Sequence, residues 1–269
     1  MIPFVGALAL AVVATTISAQ PPEAIWYIRA DSAGLASFEA HASQVSVIAP
    51  QAHSIDASGT IRGAVDPRIL ATAARHGVKL MPLVMNPGFD LGILHHLVTD
   101  RGARTAAARS FASLCRELRP WGIQLDLENL AVEDRDAFTA FAREVADSTR
   151  AAGCGLSAAV VPRPDDLRGV LPYHQYMSDY WRAAYDYRAL AEALDFLSYM
   201  TYAQHTGGST PGPVAGIRGW RPHCATCSRR GSRHRRSPWA SRRTRITGSP
   251  TTTPAPAAAP AERTSATPR

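Results

Sequence analysis

The segment best suited to catalytic chemistry is residues 122–128, in which polar and apolar residues alternate. In a β-strand, residues i and i+2 point to the same face and lie about 6.6 Å apart along the chain, so Gln124, Asp126 and Glu128 would share one face. Two carboxyl groups held close together resist joint ionisation, and one of them keeps its proton near neutral pH. Such a proton serves general acid catalysis. The alternative is a pair of buried structural acids, satisfied by backbone donors or by an arginine.

Six short apolar runs could form the strands that position this pair, because segments with helical spacing separate several of them. Asp66 and Pro67 are a typical helix start, and Gly77 is a typical helix end. Residues 104–118 and 133–152 have apolar side chains at three- and four-residue spacing. The alternation of strands and helices predicts an α/β fold with a parallel sheet. The six runs are residues 24–28, 45–49, 79–84, 122–128, 155–161 and 196–202.

Two α/β architectures fit this alternation, a doubly wound sheet and a (β/α)8 TIM-type barrel. No glycine-rich phosphate loop follows the first run, which disfavours a doubly wound dinucleotide-binding fold. In a barrel, polar residues of the active site gather where strands end, and Asp126, Glu128 and Tyr202 have such positions. We therefore expect a TIM-type barrel over residues 20–220. Its six recognisable strands leave the barrel incomplete.

The residues around this pair resemble a known enzyme family. Residues 122–130, Gly-Ile-Gln-Leu-Asp-Leu-Glu-Asn-Leu, resemble the Asp-x-x-Asp-x-Asp-x-Glu signature of glycoside hydrolase family 18, and the bacterial spore-germination branch often has Gly-Ile-Asn-x-Asp-Phe-Glu. Residues 197–202, Leu-Ser-Tyr-Met-Thr-Tyr, resemble the family's Met-x-Tyr strand. Residues 210–215 resemble the Pro-Gly-Pro loop that follows that strand. The likeness covers roughly residues 24–220, with the motifs in the family's order.

The resemblance implies hydrolysis of β-1,4-linked N-acetylglucosamine polymers, either peptidoglycan or chitin-like, with no metal and no organic cofactor. Glu128 would be the general acid that protonates the glycosidic oxygen. Asp126 would orient the 2-acetamido group, whose carbonyl oxygen attacks the anomeric carbon in a substrate-assisted, retaining reaction. Tyr202 would hydrogen-bond the acetamido carbonyl. Gln124, behind Asp126, and Met200 would belong to the substrate-binding site.

Several further residues allow two interpretations. Trp26 is a candidate sugar-stacking residue, although it could equally belong to the core. The tyrosine-rich residues 173–187 suit a sugar cleft or a packed helical insertion, and we favour packing. His95 and His96 have no carboxylate at ligand spacing, so we expect a solvated helix face and no metal site there. Ala203 stands where the family usually carries an Asp that supports the acid pair, which makes a non-catalytic glycan-binding relative the second hypothesis.

The two ends of the chain differ from its middle. Residues 1–19 are uncharged and end in small residues, which predicts a signal peptide and a secreted or cell-envelope protein without stable membrane insertion after cleavage. The alternative is an uncleaved N-terminal anchor. Residues 221–269 contain eleven Arg and a single acidic residue, whereas residues 1–220 contain 18 basic and 21 acidic residues. All the excess positive charge therefore lies in the last 49 residues.

Three hypotheses account for the basic segment 221–269. It could be a disordered solvated tail, an arm that binds nucleic acid or another anionic polymer, or the product of a shifted reading frame. We favour the shifted frame, because the codons read one base back permit a Leu-Gly-Val-Pro-Ser-Tyr strand that resembles the family's seventh strand. We therefore expect no nucleic-acid partner, a monomer, and a truncated chain that is poorly folded and weakly active at best. Anionic-polymer binding is the third functional hypothesis.

The cysteines and the composition set limits on the class of protein. Cys115 and Cys154 could pair in an exported protein only if the fold brings them together. Cys224 and Cys227 form a Cys-x-x-Cys without a second ligand pair at zinc-site spacing, so we interpret that motif as chance. With 46% hydrophobic and 19% charged residues, the chain can build a sizeable core, which excludes a wholly disordered or collagen-like protein.

Overall fold

Parallel strands form a single curved sheet in the computed structural model, which describes residues 24–163, 167–203, 205 and 210–216. The strands are β1 Ile25–Ile28, β2 Val47–Ile55, β3 Ile61–Gly63, β4 Lys79–Leu80, β5 Leu83–Met85, β6 Gly122–Asp126, β7 Gly155–Val160 and β8 Phe196–Tyr199. The main path is β1-β2-β5-β6-β7-β8, and every neighbouring pair along it is parallel. Strand β4 also pairs in parallel with β2, and β3 forms an antiparallel hairpin with it.

Helices connect most of the parallel strands. They are α1 Ser32–His41, α2 Pro67–His76, α3 Leu91–Thr99, α4 Arg101–Leu118, α5 Arg135–Ala151, α6 Pro172–Met177 and α7 Tyr187–Ala193. The start of α2 is fixed as its sequence predicts, since Asp66 Oδ1 accepts a hydrogen bond of 2.7 Å from the main-chain N–H of Arg68. The helix ends at Gly77, whose φ of 66° is a left-handed conformation that glycine adopts without strain.

Apolar side chains fill both faces of the sheet. The larger clusters lie between the sheet and the helices, and Phe111, Phe138 and Phe141 are among their most deeply buried members. A smaller cluster on the inner, concave face includes Val47 and Met81. Each large side chain that is fully buried contributes about 1.5–3 kcal/mol, so the helix-side layer supplies most of the hydrophobic stabilisation.

A disulfide bond joins Cys115, near the end of α4, to Cys154, the residue before β7. Both cysteines are 2% exposed, and their Cα atoms are 5.9 Å apart. Along the chain, α4 comes before β6 and β7 comes after β6. The bond therefore links the segments that precede and follow the strand with the carboxyl groups. The fold therefore brings Cys115 and Cys154 together, as their pairing requires.

The architecture confirms the predicted α/β class and the strand order of a TIM-type barrel. Within the described residues, the main path has six strands, which correspond to the six predicted runs. None of the helices described combines the length and the apolar composition that a membrane span requires. The predictions for residues 1–19 and 221–269, the signal peptide and the basic tail, concern parts of the chain outside the described residues.

Candidate active site

Strand β6 carries the two candidate carboxyl groups to the carboxyl end of the sheet. Its last residue, Asp126, pairs with Met85 of β5, and Glu128 follows two residues later. Ile123 and Leu125 are fully buried in the helix-side cluster. Because side chains alternate along a strand, Asp126 points to the concave face. This is the end of the sheet at which barrel enzymes build their active sites.

Burial raises the pKa values of both carboxyl groups. Asp126 is 7% exposed, and loss of hydration raises its pKa to about 6. Loss of hydration also raises the pKa of Glu128 to about 7, with a further contribution from the negative charge of Asp126. Both causes disfavour the ionised form, the first by desolvation and the second by repulsion between like charges. Near neutral pH the pair therefore retains about one proton, which a general acid requires.

A tyrosine hydroxyl lies close to this pair. Tyr202, which is 45% exposed, follows β8. Partial burial raises the pKa of its phenol, and the charges of Asp126 and Glu128 raise it further. The hydroxyl therefore stays protonated over the physiological pH range and can donate a hydrogen bond. On β1, the Tyr27 hydroxyl lies 2.7 Å from Ser198 Oγ. The electrostatic interaction with Tyr27 is a smaller contribution that also raises the pKa of Tyr202.

Two residues that the sequence analysis did not select hold the main chain around Glu128. Asn86, which is 2% exposed, donates from Nδ2 to the Glu128 carbonyl oxygen at 2.9 Å. Its Oδ1 accepts from the Glu128 N–H at 3.0 Å. The fully buried Tyr185 donates its hydroxyl proton to the Leu127 carbonyl oxygen at 2.8 Å.

One of these two residues carries a recognisable signal in the sequence. Asn86 is a polar residue just beyond the third predicted run, the same kind of position that points to Asp126. Tyr185 gives no comparable sign, because it belongs to the tyrosine-rich segment 173–187, for which we expect packing. In that segment Tyr185 and Tyr187 are indeed buried, whereas Tyr173 and Tyr176 are exposed.

Gln124 lies deeper inside the concave face than Asp126. It is fully buried, and its Nε2 donates to Ser157 Oγ on the neighbouring strand β7 at 3.2 Å. Its Oε1 has no hydrogen-bond partner among the described residues. Ser157 Oγ in turn lies 3.6 Å from Met81 Sδ. Gln124 is thus part of the barrel interior beneath the carboxyl pair.

The remaining predicted site residues have different positions. Met200 follows β8, is half-buried, and its N–H donates to the Val160 carbonyl oxygen at 3.1 Å. Trp26 is not brought to the carboxyl pair, because it packs in the helix-side cluster with its ring 6.2 Å from that of His41. Strand alternation explains this, since its neighbour Tyr27 is the residue of β1 that faces inward. Ala203 is exposed with a left-handed φ of 61°.

The histidines of α3 differ from each other in a way that the sequence does not predict. His95 Nδ1 lies 2.9 Å from Oδ2 of Asp134, a residue that is almost fully buried. Both histidines have exposed side chains, in line with the expected solvated face. In the part of the chain that the structure describes, no cluster of three or more His, Cys, Asp or Glu residues could hold a metal ion.

Comparison with known proteins relates this geometry to a family. The model of the family described as Glycosyl hydrolases family 18 matches residues 55–255. In Bacillus subtilis (strain 168), YdhD, which is named as a sporulation-specific glycosylase, is 32% identical over 130 residues, 48% of this chain and 28% of that protein. The cortical fragment-lytic enzyme of the same strain is 30% identical over 116 residues, 42% of this chain and 25% of that enzyme. The chain thus matches only about a quarter of the length of each relative.

Solved structures share the fold. The Bacillus cereus spore cortex-lytic enzyme SleL superposes with a TM-score of 0.68 at 19% identity, over 77% of this chain and 48% of that one. A chitinase from Chromobacterium violaceum gives a TM-score of 0.68 at 22% identity, over 77% of this chain and 64% of that one. Together with the family match, these likenesses confirm the resemblance drawn from residues 122–130 and 197–202.

Proposed function

Because the chain belongs to the glycosyl hydrolases of family 18, we propose that it hydrolyses β-1,4-linked glycans that contain N-acetylglucosamine. The bond that breaks joins the anomeric carbon to the leaving glycosidic oxygen. Water supplies the hydroxyl group and the proton that the two products gain. This reaction uses no metal and no organic cofactor, so side chains have to deliver the proton and orient the substrate.

In this proposal Glu128 gives its proton to the leaving glycosidic oxygen. The carbonyl oxygen of the substrate's own 2-acetamido group attacks the anomeric carbon, so no covalent bond to the enzyme forms. The ionised Asp126 accepts a hydrogen bond from the acetamido N–H, and the Tyr202 hydroxyl donates to the acetamido carbonyl oxygen. In the second half of the reaction the Glu128 carboxylate takes a proton from the attacking water, which restores the starting state with the anomeric configuration retained.

The observation that carries this proposal is the position of the two carboxyl groups, because Asp126 ends β6 at the carboxyl end of the sheet and Glu128, which is partly buried, follows two residues later. A general acid works best when its pKa is near the working pH, and burial brings the pKa of Glu128 to about 7. The pair loses its two protons in succession, at about pH 6 and about pH 7, so the pair holds about one proton in this interval. The two carboxyl groups therefore have the unequal protonation that an acid and an oriented hydrogen-bond acceptor need.

The first test is hydrolysis of N-acetylglucosamine oligosaccharides by the purified chain and two variants. Glu128→Gln removes the transferable proton and should reduce kcat by at least about 100-fold, the usual contribution of general acid catalysis. Glu192→Gln on α7 is the matched control, because Glu192 is exposed and pairs loosely with Arg188. Equal activity of the wild type and Glu128→Gln would contradict the proposal.

The glycan class is decided by a direct comparison of polymers. SleL is titled a spore cortex-lytic enzyme, and the Chromobacterium violaceum protein is titled a chitinase. The two structures superpose on this chain with the same TM-score. We propose that the substrate of this chain is either peptidoglycan or a chitin-like polymer. Release of reducing ends from each polymer under the same conditions, with Glu128→Gln as the blank, identifies which one is cleaved.

A second candidate function is glycan binding without hydrolysis, and Ala203 favours it. The side chain at this position carries no carboxylate, lies exposed beside Tyr202, and has a left-handed main-chain conformation. A glycan-binding relative would bind N-acetylglucosamine oligosaccharides equally well before and after Glu128→Gln, with no products in either case. Product formation by the wild type, lost in Glu128→Gln while binding persists, rules out this second candidate.

We also propose that the chain is exported as a monomer, to the cell envelope or the exterior. The buried bond between Cys115 and Cys154 supports export, because disulfides persist in oxidising compartments. The uncharged residues 1–19 are the proposed signal peptide. Mass spectrometry of the protein from the culture medium should give an N-terminus near Gln20, whereas a cell-associated chain that starts at Met1 would contradict this proposal.

A further inference from the structure

Glu128 lies beyond the last ladder pair of its strand. The pairing of β5 with β6 ends at Met85 and Asp126, two residues before Glu128. The next residue, Asn129, has a left-handed φ of 61°, so the chain leaves the direction of the strand immediately after Glu128. A residue between a strand end and such a turn has no neighbouring strand to fix its main chain.

Asn86 supplies the missing pair of hydrogen bonds. In a β-ladder, a residue is fixed when its N–H and its C=O are both bonded to the neighbouring strand. The amide of Asn86 makes the same two bonds with one side chain, at 3.0 Å to the Glu128 N–H and at 2.9 Å to the Glu128 carbonyl oxygen. Asn86 directly follows β5, so its side chain continues the β5–β6 ladder by one more pair.

We propose that Asn86 is the positioning residue of the general acid, and that its side-chain amide holds the Glu128 main chain so that the carboxyl group stays partly buried beside Asp126. This proposal rests on the proposed function and deepens it. Asn86 is 2% exposed, so water cannot replace the two bonds without a rearrangement. The fully buried Tyr185 fixes the preceding peptide group through its bond to the Leu127 carbonyl oxygen.

The side-chain amide of Asn86 meets this requirement. The Glu128 main chain presents one donor and one acceptor, and the carboxamide of Asn86 presents one acceptor and two donor hydrogens. Leucine has nearly the same shape and makes neither bond. An ionised aspartate accepts from the N–H but has no hydrogen for the carbonyl oxygen. Asn86 Nδ2 is also 3.4 Å from the carbonyl oxygen of Asp90, the residue that caps α3, which restrains the amide further.

The experiment compares Asn86→Leu and Asn86→Asp with the wild type in two measurements. In the hydrolysis assay, Asn86→Leu should lower kcat by about 100-fold with KM changed by less than about threefold, because a small displacement of a catalytic group affects the transition state more than ground-state binding. In the free protein, NMR titration of the Glu128 carboxyl should give a lower pKa in Asn86→Leu, since a carboxyl group released toward water loses its desolvation. Asn86→Asp retains one bond and should have intermediate kcat at pH 8.

Asp195→Ala is the matched control. Asp195 Oδ2 accepts a hydrogen bond of 2.8 Å from the N–H of Leu156, the second residue of β7, so the variant removes a side-chain bond at the end of the sheet opposite to the carboxyl pair. It should lower the melting temperature without changing kcat of the folded protein or the Glu128 titration. An Asn86→Leu variant with wild-type kcat and an unchanged Glu128 titration would overturn the proposal. If the wild type does not hydrolyse glycans, the proposed function fails, while the NMR titration still tests the positioning of Glu128.

Discussion

At the scale of single residues, Asp126 and Glu128 behave as one coupled titrating unit. Asp126 ends β6 and Glu128 follows two residues later, and the charge of Asp126 contributes to the raised pKa of Glu128. The values of about 6 and about 7 therefore describe successive proton losses of the pair. Below the lower value the pair holds two protons, between the two values it holds about one, and above the higher value it holds none.

This titration predicts a bell-shaped dependence of kcat/KM on pH, with a maximum between about pH 6 and about pH 7. Activity should fall at higher pH because Glu128 loses the proton that it donates. It should fall at lower pH because Asp126 becomes protonated and no longer accepts from the acetamido N–H. Initial rates at low substrate concentration across pH 4–9 measure the two limbs, and activity that keeps rising to pH 9 would contradict the assignment of the acid.

Replacing Asp126 tests the coupling itself. Asp126→Asn removes a negative charge beside Glu128, so the pKa of Glu128 should fall and the alkaline limb of the residual activity should move to lower pH. Asp147→Asn on α5, at an exposed site, is the control and should leave the limb unchanged. NMR titration of the Glu128 carboxyl in both variants gives the shift directly. A pKa of Glu128 that rises in Asp126→Asn would show that the two carboxyl groups do not repel each other.

At the scale of secondary-structure elements, the sequence predicts the strands well because their apolar runs and helix boundaries are local features. Asp66 and Gly77 mark the ends of α2, and the alternation in residues 122–128 matches β6 and the chain just beyond it. Contacts between distant elements leave little trace in a single sequence. The bonds from Asn86 to Glu128 and from Tyr185 to Leu127 join residues 42 and 58 positions apart, so spacing rules cannot reveal them.

The bond between α4 and β7 should make a large contribution to stability. The two cysteines are separated by 39 positions, and closing a loop of that size in the unfolded chain is worth about 4 kcal/mol in the chain-entropy treatment. The double variant Cys115→Ala, Cys154→Ala should therefore unfold at a lower denaturant concentration than the wild type, with additional loss from the two buried side chains. Urea unfolding measures the difference. An unchanged midpoint would mean that the bond does not form in the native protein.

At the scale of the whole molecule, the raised pKa of Glu128 lowers the stability of the fold at neutral pH. The pKa of Glu128 rises from 4.5 to about 7 on folding, so the native state binds more protons than the unfolded state between these values. The free energy of unfolding therefore falls as pH rises through this interval. Such a shift corresponds to a loss of about 3 kcal/mol by pH 8.

Glu128→Gln removes this pH-dependent loss, since glutamine stays neutral. We expect the variant to melt at a higher temperature than the wild type at pH 8, and the advantage to shrink toward pH 4, where Glu128 is protonated in both folded and unfolded chains. Glu192→Gln, at an exposed site, is the control and should show no comparable gain at pH 8. Thermal unfolding of the three proteins at both pH values checks this, and a Glu128→Gln variant less stable than the wild type at pH 8 would contradict the raised pKa of Glu128.

The overall architecture could be predicted from the sequence, whereas the surroundings of the site could be predicted only in part. The six strands and their alternation with helices follow from periodicity, and the family likeness of residues 122–130 indicates which strand end carries the chemistry. Trp26 and Tyr27 illustrate the remaining difficulty. Both are aromatic residues on one short strand, and only the packing of α1 on the sheet decides that Trp26 lies outside and Tyr27 inside.

The central claim, that Glu128 donates the proton to the leaving group, is tested most directly by comparing two substrates in the wild type and in Glu128→Gln. An N-acetylglucosamine oligosaccharide has a poor leaving group that needs protonation, whereas an aryl glycoside with an acidic phenol leaves without it. We predict that Glu128→Gln loses at least about 100-fold in kcat/KM on the oligosaccharide and far less on the aryl glycoside. Equal losses on the two substrates, or no loss on either, would contradict the role of Glu128 as the general acid.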